Sequence, residues 1–460
     1  MKTNVRSTIT TVAFLCIGLL PKTEAVSPPP DGGYRGGNTA EGQNALLSLT
    51  SGVYNTAVGF SSLKSNTGGT NNTAIGVNAL SLNTTGVNNT ANGVNALYSN
   101  STGSENTASG VYALFRNTTG DGNTATGVFA LIANTTGDSN TANGDSALFS
   151  NTTGFANTAT GNVALFGNIT GICNTANGAN SLADNTIGSL NTAVGFSALH
   201  ANSSGFRNTA VGYFALVSVN GTENTAVGSH ALVGFGGSPT GNTGVGFAAL
   251  FATSGSFNTA LGWHAGLNLT GGDSNNIDIG ANVEGVAGES NTIRIGNSDI
   301  TDTFISGISG TTVASGAAVL VDSNGHLGTL TSSKRFKEEI RPMNKTSEAI
   351  FSLEPVTFRY KKEIDPAGTS QFGLVAEEVD QVNPDLVVRD KEGKPYSVRY
   401  EAVNAMLLNE FLKEHRRNEE QEATIAHLQK QVEALTAGLR KVSAQLGVNK
   451  PAPQVAENDH

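Results

Sequence analysis

The chain has 460 residues, of which 56 are glycine, 14% are charged and 6% are aromatic, a composition unlike that of a single-core enzyme and suited to a repetitive β architecture. A formal net charge of −10 and a pI near 5.2 leave no general basic surface for a phosphate backbone, which argues against nucleic acid as a partner. The two cysteines, Cys16 and Cys173, cannot build a disulfide framework.

In chain order, residues 1–25 read as an export signal. Lys2 and Arg6 precede a mostly apolar run from Ile9 to Leu20, and Thr23 and Ala25 are the small residues a signal peptidase inspects. The apolar run is shorter than the roughly 20 residues that span a bilayer. The expected location is therefore secreted or cell surface, after cleavage behind Ala25. Residues 26–37, rich in proline and glycine, read as a flexible leader.

A fixed period dominates residues 38–300. The triplet Asn-Thr-Ala begins at residue 38 and recurs every 17 residues to 208, with variants at 224, 242 and 258. Counted from each Asn, the fifth residue is Gly in all fourteen units and the ninth is Leu in all but the last. Seventeen residues suit two short strands joined by turns, with Asn-Thr-Thr-Gly marking one turn. Each unit then forms one rung of a parallel β-solenoid whose Ala and Leu are buried only by stacking, so that the leucines make a continuous inner ladder. The repeated Gly predicts positive φ or close backbone approach. Asn276 to Gly280 and Asn291 to Gly296, spaced 15 apart and richer in Ile, read as closing rungs.

Sharper chemistry is not encoded in these rungs. One Thr per rung lacks the regular pair of an ice-binding array, and the calcium-binding nonapeptide pattern is absent. The carboxylates are scattered; Asp121 and Asp138, one repeat apart at the same phase, read as surface charge rather than a hydrolase pair. No cofactor and no metal is expected. Phe206, Trp263 and His264 break the pattern at solvent positions and are where a ligand would be sought.

The unit Asn-Thr-Ala-x-Gly-x-x-Ala-Leu resembles the head repeats of trimeric adhesins of the YadA type. The resemblance implies a parallel β-roll with three chains side by side, part of each rung's apolar surface facing its neighbours. The period is longer than the usual head repeat, and the terminal β-barrel of such adhesins is not seen, so their membrane attachment is not carried over.

Residues 301–331 form a neck, and at about residue 331 the composition shifts to dense charge, with Lys334, Arg335, Lys337, Glu338 and Glu339. The segment Ser332 to Ile340 resembles the opening of S74 domains, the self-cleaving C-terminal chaperones of phage tail spikes and related fibres. Phe351 to Tyr360, Gly373 to Val379 and Tyr400 to Leu408 extend the resemblance, which implies a small α/β chaperone module over 332–432. It implies Ser332 as nucleophile and Lys337 as its general base, a Ser/Lys dyad that cuts its own chain once between Thr331 and Ser332 and acts on no other substrate. Many relatives carry Asp after the Ser where this chain has Ser333, a weaker rival nucleophile. Residues five apart on a regular helix lie about 140° apart around the axis. The pair therefore requires a turn at Ser332 or a lysine from a neighbouring subunit.

Over 403–446 the pattern is helical, and Ile425, Leu428, Val432, Leu435, Leu439, Val442 and Leu446 alternate spacings of three and four, a coiled-coil seam. His415 and His427 lie among charges and read as solvated. Residues 447–460 read as a disordered tail. The fold class expected is thus mainly β, a β-roll or β-solenoid of 17-residue repeats, trimeric by resemblance, then the small α/β module and the coiled-coil helix. The function expected is an exported fibre or adhesin-like surface protein whose partner is itself, as a homotrimer, with a surface glycan or host receptor as ligand. The alternatives are a glycan-binding or depolymerising tail-spike-like fibre and an uncleaved, passive trimerisation clamp.

Overall fold

The structure is a computed structural model that describes residues 34–234, 237–306, 308, 316–322 and 324–448. The export signal, most of the leader and all but the start of the tail lie outside the described residues. The chain divides into two compact units, one ending at Phe304 and one beginning at Ile305.

The first unit is a single parallel sheet of sixteen strands in sequence order, β1 (Thr39–Glu41) through β14 (Thr259–Leu261), β15 (Ile277–Ile279) and β16 (Ile293–Ile295). Register follows the repeat: Thr39 pairs with Thr56, Ala40 with Ala57, and so on along the stack. Each rung holds one three-residue strand rather than the two expected, because the remaining residues are consumed by tight turns. The middle Ala of every Thr-Ala-x strand points inward, and with the Ala and Leu further along each rung it forms one continuous core.

The fifth-position glycines behave as their repetition predicts. All fourteen have φ between +122° and +149°. A Cβ on any of them would sit 2.3–2.7 Å from the carbonyl oxygen of the corresponding glycine in the next rung. Both requirements exclude a side chain.

The ninth-position leucines carry a feature the sequence does not announce. From Leu46 to Leu250 they adopt φ between +48° and +53°, the left-handed region, while their side chains are buried. That conformation costs an L-residue about 1–2 kcal/mol. Burying a leucine side chain returns about 1.5–3 kcal/mol, so burial wins narrowly at each rung. In the last unit Gly266 takes the position and Leu269 fills the core instead.

Two asparagine ladders run through the interior. From Asn55 to Asn208 each Asn of the triplet donates its backbone amide and Nδ2 to Oδ1 of the Asn one rung earlier, as Asn89 does to Asn72 at 3.0 and 3.1 Å, and its Nδ2 also reaches the Gly carbonyl that closes its rung. The Asn of Asn-Thr-Thr-Gly, read from sequence as a turn residue, is likewise buried. Asn117 Nδ2 donates to Asn100 Oδ1 at 2.8 Å and to Gly120 O at 2.9 Å. This second ladder stops at Asn202, whose Oδ1 is buried and unpartnered because the next rung offers Val219. At the far end Ile277 pairs with Ile293, so the last register step is 16 rather than 15, and Thr292 occupies the place of an Asn.

The second unit contains three two-stranded antiparallel hairpins: β17 (Val319–Val321) with β18 (Leu327–Thr329), β19 (Val356–Phe358) with β20 (Gln371–Gly373), and β21 (Val387–Arg389) with β22 (Pro395–Val398). Two helices complete it, α1 (Ala376–Val382) and the 49-residue α2 (Tyr400–Val448). Val379, Leu386, Val387, Val398, Val403 and Met406 make its small core, which seats the start of α2. No helix among the described residues is long and apolar enough to cross a membrane.

Candidate functional site

Ser332 lies outside any helix or strand just after the neck, and Ser333 is extended. One 3-10 turn follows, Lys334–Phe336, started by Ser333 and closed by the Lys337 amide on the Lys334 carbonyl at 3.1 Å. Lys337 is again extended, with φ −126° and ψ 137°. The turn thus lies between the two residues, at Lys334–Phe336, and not at Ser332 itself. Residues 331–340 are all exposed, and no hydrogen bond joins the Ser332 and Lys337 side chains. The guanidinium of Arg335 packs over the Phe336 ring at 4.5 Å. In the single chain, then, the two groups are near in sequence and open to solvent, without the enclosure that a serine–lysine pair needs for proton transfer.

The second unit also holds a polar cluster that spacing in the sequence does not reveal. Ser347, fully buried, donates to Glu410 Oε1 at 2.5 Å and accepts from Asn409 Nδ2 at 2.6 Å. Lys413 Nζ caps the same carboxylate at 2.6 Å. The Lys413 hydrogen bond, then that from Ser347, holds the Glu410 carboxyl below its ordinary range. The cluster ties the segment Asn344–Ser352 to the first turns of α2 across more than 60 residues of sequence.

Past that anchor α2 is unaccompanied. The seam residues Ile425, Leu428, Val432, Leu435, Leu439, Val442 and Leu446 are 51–70% exposed, which leaves a full apolar stripe open along the helix.

On the solenoid, the Asp121 and Asp138 carboxylates accept backbone amides of the preceding rung, from Ser104 at 2.7 Å and from Asp121 at 2.8 Å. They cap turns. Trp263 and His264 stack at 3.7 Å, and His264 ends a file of rings through Phe196, Tyr213, His230 and Phe247 with neighbouring centroids 5.5–6.0 Å apart. Phe206 carries Arg207 over its face at 5.6 Å. Cys173 is a free, exposed thiol, and no group of His, Cys, Asp or Glu among the described residues has the arrangement of a metal site.

Against known proteins, residues 332–388 match the family model Peptidase_S74, chaperone of endosialidase. A match to this family model behind a long parallel β-solenoid is consistent with a tail-spike-type fibre with a C-terminal chaperone domain. No curated protein and no solved structure matches the chain.

Proposed function

We propose that this chain is an exported, homotrimeric surface fibre whose C-terminal module aligns three chains and then cuts itself free between Thr331 and Ser332. The observation that carries the reading is that the matched family segment begins at Ser332 itself. Three further features support it. The exposed seam of α2 is unsatisfied in one chain and has the spacing of a coiled coil. Sixteen parallel rungs present unpaired strand edges until the stack is complete, an aggregation-prone state, and a clamp at one end would hold three such chains in register while they form. Residues 1–25 have the pattern of an export signal.

In this reading Ser332 Oγ adds to the Thr331 carbonyl carbon as its proton passes to the neutral amine of Lys337. The Thr331–Ser332 C–N bond breaks, with the released Ser332 nitrogen taking the proton, and Thr331 is left as an ester on Oγ. Water then hydrolyses the ester, freeing a Thr331 carboxylate and a fragment that begins at Ser332. Because Lys337 is solvent-exposed in one chain, the enclosure that makes a lysine a base comes from neighbouring subunits, which couples cleavage to assembly.

The test is intact mass and N-terminal sequencing of the expressed full chain beside Ser332→Ala and Lys337→Ala. A fragment starting at Ser332 in the wild type alone supports the dyad; one starting at Ser333 moves the nucleophile by one residue. A wild-type chain that stays whole while trimeric overturns self-cleavage and leaves a passive clamp.

A further inference from the structure

The inward position of each strand is alanine from β1 to β14, with Gly244 once, yet in β15 it is Asp278 and in β16 Arg294. Asp278 is 1% exposed, and neither of its carboxylate oxygens has a hydrogen-bond partner. It is packed in by its surroundings: a Cβ added at Gly285 would lie 2.9 Å both from Asp278 Oδ2 and from Leu269 Cδ2. Ala260 pairs with it on one side and Arg294 on the other.

Arg294, although in register with Asp278, is engaged elsewhere. Its Nη2 and Nε donate to the two oxygens of Glu289 at 2.6 and 3.1 Å. Glu289 in turn accepts the Val286 amide at 2.7 Å, and its carbonyl takes Nδ2 of Asn276, the last asparagine of the first ladder, at 3.1 Å. The Arg294–Glu289 pair thus fastens the closing loop to the final rungs. The other charged groups on the adjoining loops have partners of their own: Asp273 accepts the amides of Thr270 and Gly288, and Glu284 accepts Nδ2 of Asn268.

We propose that Asp278, Arg294 and Glu289 form an acid-closed latch at the C-terminal end of the solenoid, in which one arginine is contested by two carboxylates. With Asp278 protonated, Arg294 stays on Glu289 and the loop around residues 284–290 is held on the last rung. With Asp278 ionised, a buried charge without a donor draws Arg294 inward, Glu289 loses its partner and the loop opens. This inference stands apart from self-cleavage and from trimer formation.

Burial pushes the Asp278 carboxyl up from 3.8 to about 6, with Glu289 adding to the rise and Arg294 opposing it. Glu289, held low chiefly by its hydrogen bond from Arg294, remains ionised over the same interval. A carboxyl raised on folding favours the protonated form in the closed state. The closed latch is therefore strongest near pH 4 and weakens as pH rises to about 6, above which the loss is complete.

The experiment is hydrogen–deuterium exchange of the full-length chain, corrected for intrinsic rates, between pH 5 and 7. Linkage predicts that protection of residues 286–295 falls about tenfold over this interval. Residues 107–177 serve as the reference, with no change expected. Asp278→Asn should abolish the pH dependence, and Glu289→Gln should leave the loop open at both values. A flat wild-type profile, or the same tenfold fall in Asp278→Asn, overturns the latch. If Asp278→Asn fails to fold, protection of the reference rungs is lost too, and the wild-type profile alone decides.

Discussion

The left-handed leucine ladder makes an unusual prediction about which small residue replaces leucine best. Leu131 is fully buried with φ +52°, and its neighbour Ala130 is equally buried without positive φ. Leu131→Ala removes core volume at a cost of about 2–5 kcal/mol. In an ordinary core, going on from Ala to Gly costs about 0.5–1 kcal/mol more through backbone entropy, and about 0.8 kcal/mol for the lost methyl. At residue 131 the further step also relieves the left-handed penalty, about 1–2 kcal/mol. The contributions cancel, so Leu131→Gly should match Leu131→Ala to within about 0.5 kcal/mol, whereas Ala130→Gly should cost about 1.5 kcal/mol. A solenoid opens rung by rung, so the assay is local hydrogen exchange over residues 124–147 rather than a global melt. If Gly at 131 proves less stable than Ala by the same margin as the Ala130→Gly control, the ladder is not left-handed and the reasoning fails.

Val219→Asn offers the orphaned Oδ1 of Asn202 a donor; it should cost less than about 1 kcal/mol, against the 2 kcal/mol or more typical of burying an unpaired amide, and local exchange protection around residues 202–219 lowered by the full penalty would show the second ladder cannot be extended there. Ser347→Ala strips Glu410 and Asn409 of a buried partner and should destabilise the C-terminal unit by about 1–3 kcal/mol, read as loss of exchange protection at the start of α2. Because Glu410 is held below its ordinary range, the stability it adds is present above that range and is lost as pH falls from there through the lowered folded-state value. Glu410→Gln should remove this acid sensitivity, and an unchanged acid profile in that variant would contradict the assignment.

Much of the solenoid was legible because its signals are redundant. The spacing of the Asn-Thr-Ala triplets fixed the register, the fifth-position Gly marked the close approach of successive rungs, and the ninth-position Leu marked the core. The count of strands per rung was not legible, because a turn made of small residues and a short strand of small residues share a composition. Nor was the burial of the second asparagine row: Asn-Thr-Thr-Gly is a turn signature whether its Asn faces water or the interior, and only stacking reveals that Asn117 and Asn100 satisfy each other. Asp278 takes the third, alanine position of its unit, so its inward phase could be read from Asn276 and Gly280, but that its carboxylate would have no partner could not. In the C-terminal unit the family-matched segment and the long helix α2 could be read directly. The Ser347–Glu410 contact could not, because 63 residues separate its members and no periodicity links them.

The one-strand rung has a bearing on how such a shaft changes over generations. Between Asn55 and Asn202 every rung presents the same amides, carbonyls and asparagine faces to the one above and the one below. Duplication or deletion of a single 17-residue unit therefore leaves each junction chemically unaltered. It changes the length of the stack by one inter-strand step, about 4.8 Å. Reach is accordingly quantised and inexpensive to adjust by unequal recombination, whereas the rungs of 16 and 18 residues beyond Asn208 keep the first asparagine row and lose the second.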